Sequence, residues 1–150
     1  VTRGAAGGLP LPGLREVAAI APGATAATGI ALESLVQALV QQMRPAAVLC
    51  IDSLCSAEPQ RLGRTIQFSD TGLCPAAPAG PRTLTRENLG VPVIAAGIPT
   101  LTESRESSAL VLVPRALDSV IAHGAALLGA AANRALQPNF TLAQLCYLAN

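Results

Sequence analysis

Two carboxylates stand where chemistry is possible. Asp52 closes the apolar run VLCI within VLCIDSL, residues 48–54, and Asp70 opens the loop that follows RTIQFS. In an open α/β sheet, ligands bind beyond the carboxyl ends of the strands, where loops converge. An acid there can take a proton from water, and a second carboxyl, kept protonated by its neighbour's charge and by desolvation, can give one to a leaving group. The same position also suits a structural role, because a carboxylate after a strand can accept backbone N–H bonds as a cap or turn. For Asp52 both readings stand on spacing alone. The turn PGATAATG, residues 22–29, feeds a predicted helix and offers free backbone amides as a third wall of such a crevice.

Other chemistries find little support. His123, the only histidine, falls inside a predicted helix with no acid three or four residues away, which leaves a serine or cysteine triad without its parts. Cys50, Cys55, Cys74 and Cys146 form no CxxC pair and have no zinc-ligand spacing, so no metal site or disulfide framework is expected. Gly23 and Gly29 bracket ATAAT without a following Gly-Lys-Ser or Gly-Lys-Thr, which rejects a phosphate-cradling loop. Asp70, Thr71 and Gly72 spell the D-T-G of pepsin-like and retroviral proteases. That fold is almost wholly β, however, whereas residues 30–44 and 115–136 have helical spacing.

The elements that must hold these residues are legible as a pattern. Leu32, Leu35, Val36, Leu39, Val40 and Met43 recur at the three-and-four spacing of one helical face, and Pro45 follows the end. AAVLCI, 46–51, is apolar without alternation, as in a parallel strand covered on both faces, and would place Asp52 at its carboxyl end. VAAIA (17–21), RTIQFS (64–69), VPVIAAG (91–97) and ALVLV (109–113) are further strand candidates. Residues 70–81 predict a long Gly- and Pro-bearing loop, 114–136 a long Ala-rich helix, and 141–150 a short helix capped by Thr141. GAAGGLPLPG, 4–13, favours an irregular segment, so residues 1–16 are expected to be irregular or flexible. The order predicts an α/β fold: a three-layer sandwich with a mostly parallel sheet between helices, in a single domain spanning 1–150.

Composition narrows the function. With 150 residues, 51% hydrophobic, one core is expected, and a net charge of +1 advertises neither nucleic acid nor an anionic membrane as partner. No basic leader precedes an apolar run and no stretch of 18 apolar residues occurs, so a soluble, cytoplasmic chain is expected.

IAPGATAATGIALESL, IDSL, RTIQFSDTG, ENLGVPVIAAGIPT and AANRAL, taken in that order, resemble motifs of the germination proteases of endospore-forming bacteria. The resemblance is strongest from Val17 to about Thr102. It implies a cofactor-free endopeptidase of the spore core, made as a zymogen and homotetrameric, that degrades small acid-soluble spore proteins at germination. Its fold would be shared with hydrogenase-maturation peptidases (phosphorylase/hydrolase-like), and its mechanism would rest on two aspartates. One aspartate of the family falls on Asp52, in I-D-S-L. The other belongs to a motif upstream of everything in this chain, so the chain is expected to lack the amino-terminal part of the family domain and to be inactive alone. Asp70, Thr71, Gly72 and Glu103 are the supporting candidates, Glu103 replacing an aspartate expected after I-P-T. The competing expectation is a non-catalytic sporulation protein on the same fold, or an inactive fragment.

Overall fold

A computed structural model of the chain describes residues 5–6, 9–10, 12–23, 25–73, 84–103 and 111–149. In chain order the elements are β1 (Ala5–Ala6), β2 (Leu9–Pro10), α1 (Thr25–Thr28), α2 (Leu32–Met43), β3 (Val48–Cys55), β4 (Gln67–Ser69), α3 (Arg86–Leu89), β5 (Val93–Glu103), β6 (Val111–Leu112), α4 (Leu117–Leu136) and α5 (Leu142–Ala149). Two compact units result, one from residues 23–122 and one from 1–22 with 123–150.

The first of these units is built on a four-stranded sheet. β5 lies at its centre, with β3 parallel to it on one side and β4 antiparallel on the other, while β6 pairs antiparallel with the far end of β5. The sheet is therefore mixed rather than mostly parallel. β3 and β5, whose connection includes β4 and α3, run parallel, whereas β4 and β6 each pair with β5 antiparallel. The long central strand outruns its prediction because β3 and β6 occupy different stretches of it in turn. Between Leu54 and Cys55 the register skips a residue of β5, and Pro99, which has no N–H for a ladder, lies next to that bulge.

Alternation divides the sheet into two faces. Val48, Cys50, Asp52 and Leu54 share one face with their partners Val93, Ala95, Gly97 and Pro99. Leu73, Leu84, Leu89, Val93 and Ala95 form the buried cluster there, and Leu32 and Val36 of α2 pack against it. Of the helical face read from 32–43, Leu32 and Val36 meet the sheet-side cluster and Val40 is buried, whereas Met43 at its end is exposed. Arg44 ends α2 in the left-handed region at φ 49°, its N–H donating to the Val40 carbonyl at 2.9 Å. On the opposite sheet face Leu49, Ile51, Ile94 and Phe68 are exposed, Phe68 by 70%. AAVLCI is therefore covered on one face only, contrary to the expectation of burial on both.

In the second unit, side-chain amides tie the amino-terminal segment to the end of α4. Gln137 Oε1 accepts from Arg15 N at 2.7 Å while its Nε2 donates to Arg15 O at 2.9 Å, and Asn139 Nδ2 donates to Gly13 O at 3.1 Å. α5 begins in a reciprocal cap: Thr141 N donates to Gln144 Oε1 at 2.8 Å and Gln144 N to Thr141 Oγ1 at 3.3 Å.

Two predicted segments turn out differently. VAAIA makes no strand: Val17 forms a lone bridge and Ile20 is half exposed. Within the segment predicted irregular, Ala5–Ala6 pairs antiparallel with Leu9–Pro10. The predicted loop from residue 74 onward, Cys74 with it, and residues 109, 110 and 150 of two predicted elements lie outside the described residues.

Candidate active site

Asp52 does not end its strand. β3 continues to Cys55, so the carboxylate projects from within the strand, and the residues Ile51–Ser53 are all exposed. Sheet order supplies the reason. β3 is an edge strand among the described residues, and a charge on an edge keeps its water, whereas one on a central, doubly covered strand would not. The Ser53 N–H donates to Asp52 Oδ1 at 2.8 Å, so the carboxylate satisfies a backbone donor of its own strand and is held in one orientation by it. Both readings of Asp52, cap and acid/base group, find a physical counterpart in this geometry.

The surroundings follow from register. Asp52 pairs with Gly97, and Gly97 pairs in turn with Gln67 of β4, which sets carboxylate, glycine and carboxamide in one row on the same sheet face. Cys50 and Leu54 flank Asp52 on that face. Burial first, and then the Asp52 charge, push the Cys50 thiol above the usual thiol range. α2 returns toward β3 after only residues 44–47. Its twelve residues rise about 18 Å, and Leu32 and Val36 pack against the cluster that holds Val93 and Ala95. At the start of α2, Ala31 makes no side-chain cap.

Asp70 is not brought to this site. β5 lies between β3 and β4, and the antiparallel run of β4 sets Ser69 opposite Ala95, carrying Asp70 away from Gly97. Two strand spacings across and three residues along put the Asp52 and Asp70 backbones about 14 Å apart. The expectation that the Asp70 loop faces the same crevice is thus corrected: β4 runs in the opposite direction to β3 and delivers its carboxyl end to the other edge of the unit.

What D-T-G does here is turn the chain. Thr71 N donates to Ser69 Oγ at 3.2 Å, and the Ser69 and Thr71 hydroxyls are 2.8 Å apart. Gly72 at φ +94° then lets Leu73 bridge Leu84, with bonds of 3.0 and 3.1 Å. Glu103 closes β5 opposite Val111, six residues beyond the partner of Asp52 and so about 20 Å along the strand. His123 lies exposed on α4. Among the described residues no cluster of three histidine, cysteine or acidic side chains can hold a metal ion, and no helix is long and apolar enough to cross a membrane.

Sequence reasoning missed Gly97 and Gln67. VPVIAAG reads as a strand with a terminal glycine, and nothing in its spacing says that the glycine faces Asp52.

The fold and site define an α/β protein with an exposed aspartate on a strand that is an edge among the described residues, paired with a glycine of the central strand. The sequence profile described as germination protease matches residues 11–143, and the chain belongs to the germination protease family. It is 43% identical over 93 residues to the germination protease of Clostridium perfringens strain SM101, covering 61% of this chain and 29% of that relative. The germination protease of Halalkalibacterium halodurans is 39% identical over 113 residues, 74% of this chain and 29% of the relative. That of Bacillus velezensis is 39% identical over 94 residues, 61% of this chain and 26% of the relative. The chain thus aligns with less than a third of the length of these relatives.

Proposed function

We propose that Asp52 is one of two aspartates of a spore endopeptidase that cleaves small acid-soluble spore proteins at germination. The observation that carries the reading is an exposed carboxylate on a strand that is an edge among the described residues, oriented by the Ser53 amide, at the position where the aspartate of the family's I-D-A-L motif falls, here within I-D-S-L. Ionised Asp52 takes a proton from a water as its oxygen bonds to the scissile carbonyl carbon. The second carboxyl protonates the amine as the C–N bond breaks, giving one carboxyl and one amino terminus. In this reading the second aspartate is the one the family carries in a motif upstream of those matched here, and the separation of Asp52 from Asp70 across β5 supports it.

In this reading the complete protein is a zymogen-derived homotetramer of the spore core and needs no cofactor. Its sheet is the middle of three layers, α2 lying on one face and a further layer covering Leu49, Ile51, Ile94 and Phe68. The exposure of those four side chains favours such a layer, because solvent-facing apolar patches of this kind mark surfaces that become covered.

Asp52→Asn in the complete protein tests the chemistry. The amide keeps the Oδ1 acceptor for Ser53 N–H and removes the base, so cleavage of a purified small acid-soluble spore protein is expected to fall at least about a thousandfold at unchanged Tm. Retained activity returns Asp52 to a capping role and favours a non-catalytic protein on the same fold.

A further inference from the structure

We infer that Gly97 is the positioning residue of the Asp52 carboxylate, an inference that rests on the catalytic reading of Asp52. Gly97 is not needed for backbone freedom, since it is not among the glycines at positive φ. It is needed for space. A Cβ built there would collide with the Asp52 carbonyl oxygen and would lie 2.7 Å from Leu54 Cγ and 3.1 Å from Leu54 Cδ1. Contacts that close require backbone or side chain to shift.

The carbonyl of Asp52 and the N–H of Ser53 belong to one planar peptide unit, so neither can rotate without the other. That N–H is the group that holds Asp52 Oδ1 at 2.8 Å. The absence of a side chain at residue 97 therefore fixes the tilt of peptide 52–53, and the tilt aims the amide that fixes the carboxylate. Any side chain at 97 pushes the Asp52 carbonyl off β5, turns the Ser53 N–H away from Oδ1 and releases the carboxylate from its orientation. Gly97 touches neither water nor substrate in this scheme; it acts through Asp52.

Gly97→Ala in the complete protein is expected to lower kcat on a purified small acid-soluble spore protein about a hundredfold, as for a catalytic group displaced by about 1 Å, while KM changes less than about twofold. Val36→Ala loosens the same sheet face from the α2 side and serves as the stability control, with kcat expected within about twofold of wild type. The direct readout is the Ser53 amide proton in NMR spectra. In Gly97→Ala it is expected to move toward its position in Asp52→Ala, where the acceptor is gone. If Gly97→Ala does not fold, Leu54→Ala/Gly97→Ala removes the leucine collision and leaves only the carbonyl one, with Leu54→Ala as its reference. A Ser53 amide unmoved by alanine at 97, or a kcat for the double variant equal to that of Leu54→Ala, overturns the inference. The catalytic reading fails separately, through an active Asp52→Asn, and the amide shift still decides the positioning role in that case.

Discussion

At the residue scale, the pair Cys50 and Asp52 links electrostatics to an observable. Both stand on the covered sheet face, two residues apart, and burial together with the Asp52 charge holds the Cys50 thiol above its ordinary value. The neutral thiol is thus favoured in the folded chain, and the unfolded chain loses that proton first as pH rises. The stability this confers is complete below about pH 8.5 and is lost as pH climbs through the raised folded value. Tm measured from pH 7 to 10 should therefore fall more steeply for wild type than for Cys50→Ala, and Cys50 should react with iodoacetamide more slowly than the exposed Cys146 at pH 8. Equal slopes and equal rates would remove the burial argument. Asp52 itself was readable as a candidate, because a charge ending an apolar run stands out in any strand-like segment. Its neighbours Gly97 and Gln67 were not, since cross-strand partners depend on a register that no local pattern encodes.

At the element scale, the D-T-G stretch shows a motif outweighed by its surroundings. Gly72 sits at φ +94°, and a Cβ there would strike the Leu84 carbonyl and lie 2.9 Å from Thr85 Cγ2. A left-handed conformation alone costs a residue with a Cβ about 1–2 kcal/mol. With the collision added, Gly72→Ala should lower the unfolding free energy by more than about 2 kcal/mol in equilibrium urea titrations, whereas Asp70→Asn in the complete protein should leave cleavage unchanged. Loss of activity in Asp70→Asn would restore Asp70 to the site. α2, read from spacing as lying within 30–44 and observed from Leu32 to Met43, was legible because a helix closes its hydrogen bonds locally and shows its buried face as a period. VAAIA was misread for the converse reason: the bonds of a strand are made elsewhere in the chain, so its apolar content alone does not decide pairing.

At the scale of the whole molecule, the open face of the sheet is the feature to probe. Ile51 is 47% exposed on the face away from α2, where Leu49, Ile94 and Phe68 are exposed with it. Should a further layer cover this face in the complete protein, Ile51→Glu there buries an unpaired charge and should lower Tm by more than about 5 °C. In the 150-residue chain the same change should move Tm by less than about 2 °C, as for an ordinary surface substitution. A complete protein indifferent to Ile51→Glu would argue for a two-layer arrangement.

The order of motifs in this chain was enough to place it in the germination protease family, and the period of 32–43, the Ala-rich run 114–136 and the Thr141 cap of 141–150 were enough to place α2, α4 and α5. Both are properties of neighbouring residues, carried by side chains a few positions apart. Tertiary structure alone decided that β5 separates Asp52 from Asp70, that among the described residues β3 is an edge strand with its carboxylate exposed, and that a glycine pairs with that aspartate. Strand order and register arise from hydrogen bonds between residues some forty-five positions apart, which leave no trace in the spacing of either strand taken by itself.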